Sequence, residues 1–358
     1  MKYFIFTLGC QMNRSDSERI ATVLESQGLK SVPTDVGADL IVVNACSVRQ
    51  SAVDRIWGKL KIWKKFPNQP INKLTNKLVF ITGCVLPADK KKFQEKVELI
   101  FPIAGLPKLP SYFKKNIFKV GDYLQIKPKE SEKNEEIYIP IMSGCNNFCT
   151  YCAVPYTRGR EYSRNVKEII CEVDNAVKKG FKTITLLGQN VNSFKPNFVK
   201  LLKALVQIPG NFQINFLSSN PQDFPDKLVE LVAREPKISK EIHLPLQSGD
   251  DEILRKMNRK YTTNQFLKLI GKIKLQIPNL KLSTDIIIGF PGETKIQFNN
   301  TVKICKRIDF DKAYISQYSP RPGTVAAKMK DDVPATEKKR RWKILNNLIN
   351  MKRHPVSM

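Results

Sequence analysis

Three cysteines fall within one eight-residue stretch of the sequence, at the spacing C-x3-C-x2-C. They are Cys145, Cys149 and Cys152. An ordinary [4Fe–4S] cluster is held by four cysteine thiolates. Three thiolates leave one metal with an open coordination position, which distinguishes reactive from structural metal sites. We therefore expect these residues to bind a [4Fe–4S] cluster whose open iron can bind a substrate or cofactor and pass it an electron.

The competing interpretation of this loop is a zinc site with a fourth ligand from elsewhere in the chain. Zinc sites combine cysteine and histidine ligands at short sequence spacings. His243 is the only histidine in the interior of the sequence, and it lies far from the loop. The spacing therefore favours a cluster over zinc, and also over a purely structural group of cysteines.

A second set of three cysteines is spread singly over the first third of the chain. Cys10, Cys46 and Cys84 each follow an apolar, β-rich run, and they are 36 and 38 residues apart. Continuous apolar strands that alternate with helices predict a parallel sheet covered on both faces. The carboxyl ends of such strands lie along one edge, where binding sites are usual. The three thiols could therefore meet; the alternative is three unrelated, half-buried cysteines.

The elements around these cysteines can be predicted in outline. Ser15 and Glu18 have the spacing of a capping box, which predicts that a helix begins there. A later helix is predicted through Phe93 and Val97. Cys171 and Cys305 lie in helical patterns, and we expect both to be small core residues.

The composition points to a basic protein with a polyanionic partner. The chain has 358 residues and a net charge of +27, which favours RNA or DNA. AT-rich coding, which enriches Lys, Asn and Ile, is the alternative explanation. The apolar run after Met1 is shorter than a signal peptide requires, and no run approaches a membrane helix. We expect a cytoplasmic protein without a membrane partner, in which thiols stay reduced.

The predicted fold class is α/β in two domains. Residues 1–124 form a parallel α/β sheet domain, 125–136 a charged linker, 137–336 a (βα)6 partial TIM barrel, and 337–358 a basic C-terminal helix. Six units are too few for the closed eight-unit barrel. The six barrel strands are predicted at 137–142, 183–187, 213–217, 241–246, 281–289 and 313–318.

The cysteine loop at the start of a six-unit barrel resembles the radical S-adenosylmethionine (SAM) superfamily, and the flanking segments resemble its methylthiotransferase family. Within that family, residues 9–13 and 187–192 resemble the tRNA 2-methylthio-N6-isopentenyladenosine synthase branch. The resemblance covers nearly the whole chain. The segments are TLGCQMN at 7–13, NACSVR at 44–49, CTYCAVPYTRGRE at 149–161, LGQNVNS at 187–193, HLPLQSG at 243–249, TDIIIGFPGET at 284–294 and YSPRPGT at 318–324.

The resemblance implies two [4Fe–4S] clusters and SAM as cofactors. Cys145, Cys149 and Cys152 would bind the cluster that cleaves SAM to a 5′-deoxyadenosyl radical. Cys10, Cys46 and Cys84 would bind the auxiliary cluster, which carries or supplies sulfur. The implied reaction adds a methylthio group to carbon 2 of N6-isopentenyladenosine 37 in a tRNA anticodon stem-loop. An external electron donor is implied, and we expect a monomer.

Further site residues follow from their positions. The resemblance places Tyr151 near the SAM adenine. The polar side chains at barrel strand ends are also candidate SAM contacts, because the carboxyl ends of barrel strands form the site. They are Gln189, Ser218 and Gln247. Arginine suits phosphate contacts and stacking on splayed bases. The candidate tRNA-binding residues are Arg158, Arg160, Arg164, Lys338, Arg340 and Arg341.

Three other functions stay open at this point. They are methylthiolation of threonylcarbamoyladenosine in tRNA, methylthiolation of a ribosomal protein, and a non-catalytic iron–sulfur RNA-binding role. The family normally carries a small β-barrel RNA-binding domain, the TRAM domain, after the final helix. We expect that domain to be absent here, since the sequence ends at Met358.

Overall fold

The structure is a computed structural model that describes residues 1–64, 77–113, 120, 122–129 and 135–351. The chain divides into two compact units. Unit 1 consists of Met1–Lys133, Cys152–Arg160 and Arg321–Gly323, and unit 2 of Asn134–Tyr151, Glu161–Pro320 and Thr324–Met358.

Unit 1 is built on a five-stranded parallel sheet with the order β2-β1-β3-β4-β5. All seven residues of β3 are buried, as expected for the centre of a sheet covered on both faces. The strands are β1 (Lys2–Thr7), β2 (Lys30–Ser31), β3 (Leu40–Cys46), β4 (Leu78–Cys84) and β5 (Leu99–Ile100), and the helices are α1 (Gln11–Ser26), α2 (Gln50–Trp63) and α3 (Pro87–Phe93).

Two predicted helix limits in unit 1 are wrong. α1 begins at Gln11 with Cys10 as its N-cap, because Gly9 turns the chain directly after β1 with a φ of +104°. Ser15 therefore lies inside the helix, where its Oγ accepts a hydrogen bond from Arg19 Nη1 at 2.6 Å. α3 ends at Phe93, and the chain turns so that Glu98 N donates to Val79 O at 3.1 Å on the way into β5.

Unit 2 contains the six predicted barrel strands, and the predicted α/β class with a partial barrel is confirmed. They form two parallel three-stranded sheets, β10-β9-β6 and β11-β12-β13, with the break between β10 and β11. The strands are β6 (Glu136–Pro140), β9 (Thr183–Leu187), β10 (Gln213–Phe216), β11 (Glu241–His243), β12 (Lys281–Ile288) and β13 (Lys312–Gln317), with a short antiparallel pair β7 (Met142–Ser143) and β8 (Tyr162–Ser163).

Helices follow the strands of unit 2 and cover them. The apolar face of α9 packs on the core, since Phe266, Ile270 and Ile273 are buried. The helices are α5 (Val166–Lys178), α6 (Phe198–Val206), α7 (Asp226–Arg234), α8 (Asp251–Lys256), α9 (Thr263–Gln276), α10 (Lys295–Ile308) and α11 (Ala335–Ile349), and the short α4 (Val154–Thr157) belongs to unit 1.

The two remaining cysteines, Cys171 and Cys305, differ in burial. Cys305 on α10 is buried as predicted. Cys171 is exposed, contrary to the prediction, because Ile169 and Val173 form the buried face of α5 and a residue two positions from each points the other way.

The domain boundaries at 124, 136 and 336 stay a prediction. In the proposed linker, residues 130–134 lie outside the described residues. Residues 127 and 129 contact α1: Thr22 Oγ1 donates to Lys127 O at 2.8 Å, and Lys129 N donates to Glu18 O at 3.1 Å. The end of the basic C-terminal segment, 352–358, is likewise outside the described residues.

Candidate cluster-binding sites

The first candidate site lies at the carboxyl edge of the unit 1 sheet. Cys46 and Cys84 end the neighbouring strands β3 and β4 and are direct register partners. Cys10 follows β1, the strand on the other side of β3. All three are free thiols, with Cys10 exposed and the other two buried. The parallel sheet thus places three cysteines at one edge, as their spacing predicted.

Burial and mutual proximity act on these thiols together. Burial raises the pKa of Cys46, and the neighbouring Cys84 and Cys10 raise it further. Burial also raises the pKa of Cys84, while the Arg158 guanidinium opposes that rise. Because a buried thiolate is costly without positive charge nearby, this site favours a ligand that brings positive charge, such as a metal centre.

A polar frame holds the loops that carry the cysteines. Asn13 Nδ2 donates to Leu8 O at 2.6 Å and to Ala45 O at 2.9 Å, so it joins the ends of β1 and β3. Asn44 Nδ2 donates to Asn13 O at 2.7 Å. These bonds fix the backbone on both sides of Cys10 and next to Cys46.

Arg158 also lies in this edge of unit 1. Its Nε donates to Cys84 Sγ at 3.1 Å, and its Nη2 donates to Asp16 Oδ2 at 2.7 Å and to Asn13 Oδ1 at 2.8 Å. The Arg158 and Asp16 side chains are 2% and 0% exposed. The sequence suggested Arg158 as a tRNA contact; the structure instead buries it in an ion pair beside a cysteine.

The C-x3-C-x2-C loop is anchored to the end of α8 in unit 2. Thr150 N donates to Met257 O at 3.1 Å, and Asn258 Nδ2 donates to Phe148 O at 3.0 Å. Cys145 is buried, and the net effect of its surroundings is to raise the pKa of its thiol. Burial causes the rise, and a hydrogen bond from the backbone N–H of Asn147 opposes it in part. The last cysteine, Cys152, begins the segment Cys152–Arg160 that belongs to unit 1.

A second arginine contacts this loop. Arg259, two residues beyond Met257, donates from Nη1 to Cys149 Sγ at 3.4 Å and from Nε to Tyr261 Oη at 3.1 Å. Tyr261 is itself fixed, because its hydroxyl donates to Pro245 O at 2.9 Å. Sequence reasoning missed Arg259, since its only signal was an arginine in the loop after a short helix.

The four candidate SAM contacts all lie in unit 2, but their environments differ. Tyr151 packs edge-to-face on Phe290 with ring centroids 6.5 Å apart. Gln189 Oε1 accepts a hydrogen bond from Gly144 N at 2.6 Å, which braces the cysteine loop. Ser218 has a φ of +67°. Gln247 is buried, and its Oε1 has no hydrogen-bond partner in the described part of the chain, so it can accept from a ligand.

The candidate tRNA-binding residues divide by exposure. Arg164 and Lys338 are buried: Arg164 donates to Glu172, and Lys338 donates to Asp331 and to Tyr318 O. Arg341 is 3% exposed and pairs with Glu293. Arg158, Arg164, Lys338 and Arg341 are therefore buried in ion pairs within the protein. Only Arg160 and Arg340 of the six are exposed.

The zinc alternative does not fit the position of His243. Its Nδ1 lies 2.9 Å from Ser283 Oγ and its Nε2 lies 3.0 Å from Asp285 Oδ2, so both ring nitrogens already have partners. Within the described ranges, no three His, Cys, Asp or Glu side chains are close enough to hold one metal ion. A [4Fe–4S] cluster is larger than one ion, and each thiolate binds a different iron, so its ligands lie further apart.

The residues present fit iron–sulfur clusters as ligands. Each set offers three free thiols, and the spacing of the second set is within one loop. At the sheet edge, Gly9 packs directly against the ligand residue Cys46, since a β-carbon on residue 9 would lie 2.9 Å from Cys46 Cβ and 3.1 Å from its Sγ. Thiolates are soft ligands, and iron–sulfur clusters are among the metal centres that they bind.

Comparison with known proteins agrees with this arrangement. The Radical SAM superfamily matches residues 139–305, and the Uncharacterized protein family UPF0004 matches residues 2–105. The radical SAM methyltransferase TsrM from Kitasatospora setae, solved with cobalamin and a [4Fe–4S] cluster, superposes with a TM-score of 0.61 at 13% identity, covering 91% of this chain and 77% of that one. The cobalamin-dependent SAM radical enzyme OxsB superposes with a TM-score of 0.60 at 12% identity, covering 99% of this chain and 56% of that one. The fold and the cysteine loop thus define a radical SAM protein.

Closer relatives define the family. The tRNA-2-methylthio-N(6)-dimethylallyladenosine synthase of Clostridium botulinum strain Hall is 40% identical over 371 residues, which cover 98% of this chain and 81% of that protein. The protein of the same name from Dehalococcoides mccartyi strain CBDB1 is 40% identical over 353 residues, 97% and 82% of the two chains. The chain belongs to this family of radical SAM methylthiotransferases, and the predicted family, enzyme class and cofactors, [4Fe–4S] clusters and SAM, are confirmed. No helix in the described ranges has the length and apolarity to cross a membrane.

Proposed function

We propose that this enzyme adds a methylthio group to carbon 2 of N6-isopentenyladenosine 37 in the anticodon stem-loop of tRNA. The observation that carries the proposal is the pair of cysteine sets, one at a sheet edge and one in a loop, in a chain 40% identical to synthases named for this product. The +27 net charge supports a nucleic-acid substrate. An external electron donor, a monomeric state and a cytoplasmic location belong to the same proposal.

Each cysteine set has its own role in the proposal. Cys145, Cys149 and Cys152 hold the cluster that works with SAM, and Cys10, Cys46 and Cys84 hold the auxiliary cluster. When bound, these groups supply the radical and the sulfur for the reaction. Burial of Cys46 and Cys84 at the sheet edge supports exclusion of water from the auxiliary site.

The remaining contacts are assigned to residues with suitable surroundings. Tyr151 and Gln247 face SAM, the former with its ring and the latter with the unpartnered Oε1. Ser218 is a further SAM contact, and Gln189 acts by holding Gly144 at the start of the loop. For the tRNA we retain the exposed Arg160 and Arg340 as phosphate contacts.

The test of the substrate is mass spectrometry of tRNA nucleosides after expression in a strain that lacks the activity. We expect 2-methylthio-N6-isopentenyladenosine to be restored. Restoration of a methylthiolated threonylcarbamoyladenosine instead, or modification of a ribosomal protein with unchanged tRNA, would contradict the proposed substrate. Unchanged nucleosides and proteins, with iron bound, would favour a non-catalytic iron–sulfur role.

The test of the two sites is iron analysis after anaerobic reconstitution. Two clusters of four irons predict about eight irons per chain, and about four in either Cys84→Ala or Cys145→Ala. Cys305→Ala removes a buried thiol far from both sets in sequence and is the control, with unchanged iron expected. Loss of all iron in one of the single-site variants would contradict two independent sites.

A further inference from the structure

Each set of proposed cluster ligands includes one sulfur that accepts a hydrogen bond from an arginine. In unit 1, Arg158 Nε lies 3.1 Å from Cys84 Sγ. In unit 2, Arg259 Nη1 lies 3.4 Å from Cys149 Sγ. Both arginines also have further hydrogen-bond partners, which fix the orientation of the guanidinium plane.

The two arginines differ in how their charge is compensated. Arg158 pairs with Asp16, and both side chains are nearly inaccessible to water. Arg259 contacts Cys149 Sγ, Tyr261 Oη and Pro245 O, and none of these partners in the described part of the chain is a carboxylate. Arg158 therefore brings a nearly neutral ion pair to its sulfur, whereas Arg259 brings a net positive charge.

We propose that Arg158 and Arg259 are positioning residues that set the reduction potentials of the two clusters, one arginine for each. This inference rests on the proposed cysteine assignments. Hydrogen bonds to the sulfurs and nearby charge are among the factors that set cluster potentials. A reduced cluster carries one more negative charge than an oxidised one, so a donated N–H and a positive charge stabilise the reduced form and raise the potential.

The fold explains why these positions suit the role. Arg158 lies in the segment Cys152–Arg160, and α4 within that segment contacts β4, the strand that ends in Cys84. One short piece of chain therefore carries a ligand of one cluster and a donor to a ligand of the other. Arg259 similarly follows Met257 and Asn258, which anchor the C-x3-C-x2-C loop.

The experiment measures each cluster separately by redox titration followed by electron paramagnetic resonance. Replacing all three loop cysteines with alanine leaves the auxiliary cluster, and replacing Cys10, Cys46 and Cys84 leaves the other. Arg158→Met in the first background should lower the ratio of reduced to oxidised cluster at fixed potential by roughly tenfold, which is about 59 mV for one electron. Arg259→Met in the second background should produce a larger shift in the same direction, because its charge is uncompensated.

Matched variants separate this role from a structural one. Arg14→Met and Arg255→Met remove exposed arginines four residues in sequence from Cys10 and from Arg259, and should leave both potentials unchanged. Arg158→Lys keeps the charge and should recover part of the shift. Asp16→Asn removes the compensating charge and should raise the auxiliary potential, opposite to Arg158→Met. Thermal unfolding of the apoproteins reports the structural cost on its own.

The outcomes are distinct. Full iron content with unchanged potentials in Arg158→Met and Arg259→Met would overturn the inference and leave the proposed function intact. If Arg158→Met fails to fold, Asp16→Asn decides, and an unchanged potential there overturns the role of Arg158. Absence of iron from either three-cysteine background would contradict the cysteine assignment itself, and the inference with it.

Discussion

Gly9 lies against Cys46, so closely that a β-carbon on residue 9 would be 2.9 Å from Cys46 Cβ and 3.1 Å from its Sγ. The backbone of Gly9 also has a φ of +104°, which favours glycine. Both features keep the end of β1 close to the end of β3. The position of Cys10 relative to Cys46 thus depends on a residue that has no side chain.

Gly9→Ala should therefore damage the auxiliary site. In a background where the three loop cysteines are alanine, we expect Gly9→Ala to retain less than half of the iron that the same background holds with Gly9, because Cys46 or the β1 loop must move. Gly28→Ala is the matched control: it has a φ of +81° but open space around it, so it carries the backbone cost of roughly 1–2 kcal/mol alone. Equal iron in the two variants would contradict a role for the close contact.

Arg321 and Asp89 form a buried ion pair within unit 1, with an N···O distance of 3.1 Å. Arg321→Met should destabilise the fold by about 3 kcal/mol in urea unfolding, since Asp89 is left buried without its partner. The double variant Arg321→Met with Asp89→Leu should recover most of that loss. Lys178→Met breaks the exposed Lys178–Asp174 pair and should change stability little. A double variant as unstable as the single one would show that the ion pair is not the cause.

Glu337 gives the fold an acid-dependent contribution. Arg340 first, then Arg341, lower the pKa of Glu337 to about 2 from an ordinary value of 4.5. Because the folded-state pKa is the lower one, the stabilisation is complete above about pH 4.5 and is lost as the pH falls towards 2. Solvent screening limits it to about 1 kcal/mol.

Unfolding of Glu337→Gln against pH measures this contribution. The variant should be less stable than wild type at pH 7, and the two should converge near pH 2. Glu230→Gln, an exposed glutamate on α7, is the control and should follow the wild-type curve. A constant difference between Glu337→Gln and wild type across this range would exclude a charge effect.

Neighbouring arginines on α11 should behave differently with tRNA. Arg340 is exposed, so Arg340→Ala should weaken tRNA binding and reduce the salt dependence by about one phosphate contact. It should lower the unfolding temperature only slightly, because the Arg340–Glu337 pair that it removes contributes at most about 1 kcal/mol. Arg341→Ala should instead lower the unfolding temperature, because Glu293 is buried and pairs with Arg341 at 2.6 Å. Filter binding at several salt concentrations provides the measurement. An unchanged salt slope in Arg340→Ala would remove this residue from the interface.

The cysteines and the strands could be predicted from the sequence because both depend on local patterns. An apolar run followed by Cys46 or Cys84 specifies a buried strand and its end, and parallel pairing then fixes the shared edge. The start of α1 was missed because the capping-box spacing at Ser15 competes with the turn at Gly9, and the turn comes first.

The arginines could not be assigned from sequence, because their surroundings depend on partners far along the chain. Arg158 finds Asp16 across 142 residues, and Arg341 finds Glu293 across 48. The sequence pattern around an arginine does not show whether its side chain is exposed, as for Arg340, or buried, as for Arg341. Only tertiary packing separates a phosphate contact from an internal counter-ion.

Unit 1 is assembled from segments that are far apart in the chain, so its parts are synthesised at different times. Asp16 and Asp89 are synthesised early, but their arginine partners emerge 142 and 232 residues later. At the usual 5–20 residues per second, the ribosome needs roughly 12–46 s to travel from Asp89 to Arg321. Until then Asp89 lacks the arginine with which it pairs in the folded unit. The unit that starts at the N-terminus reaches its full stability only after residue 323 has been translated.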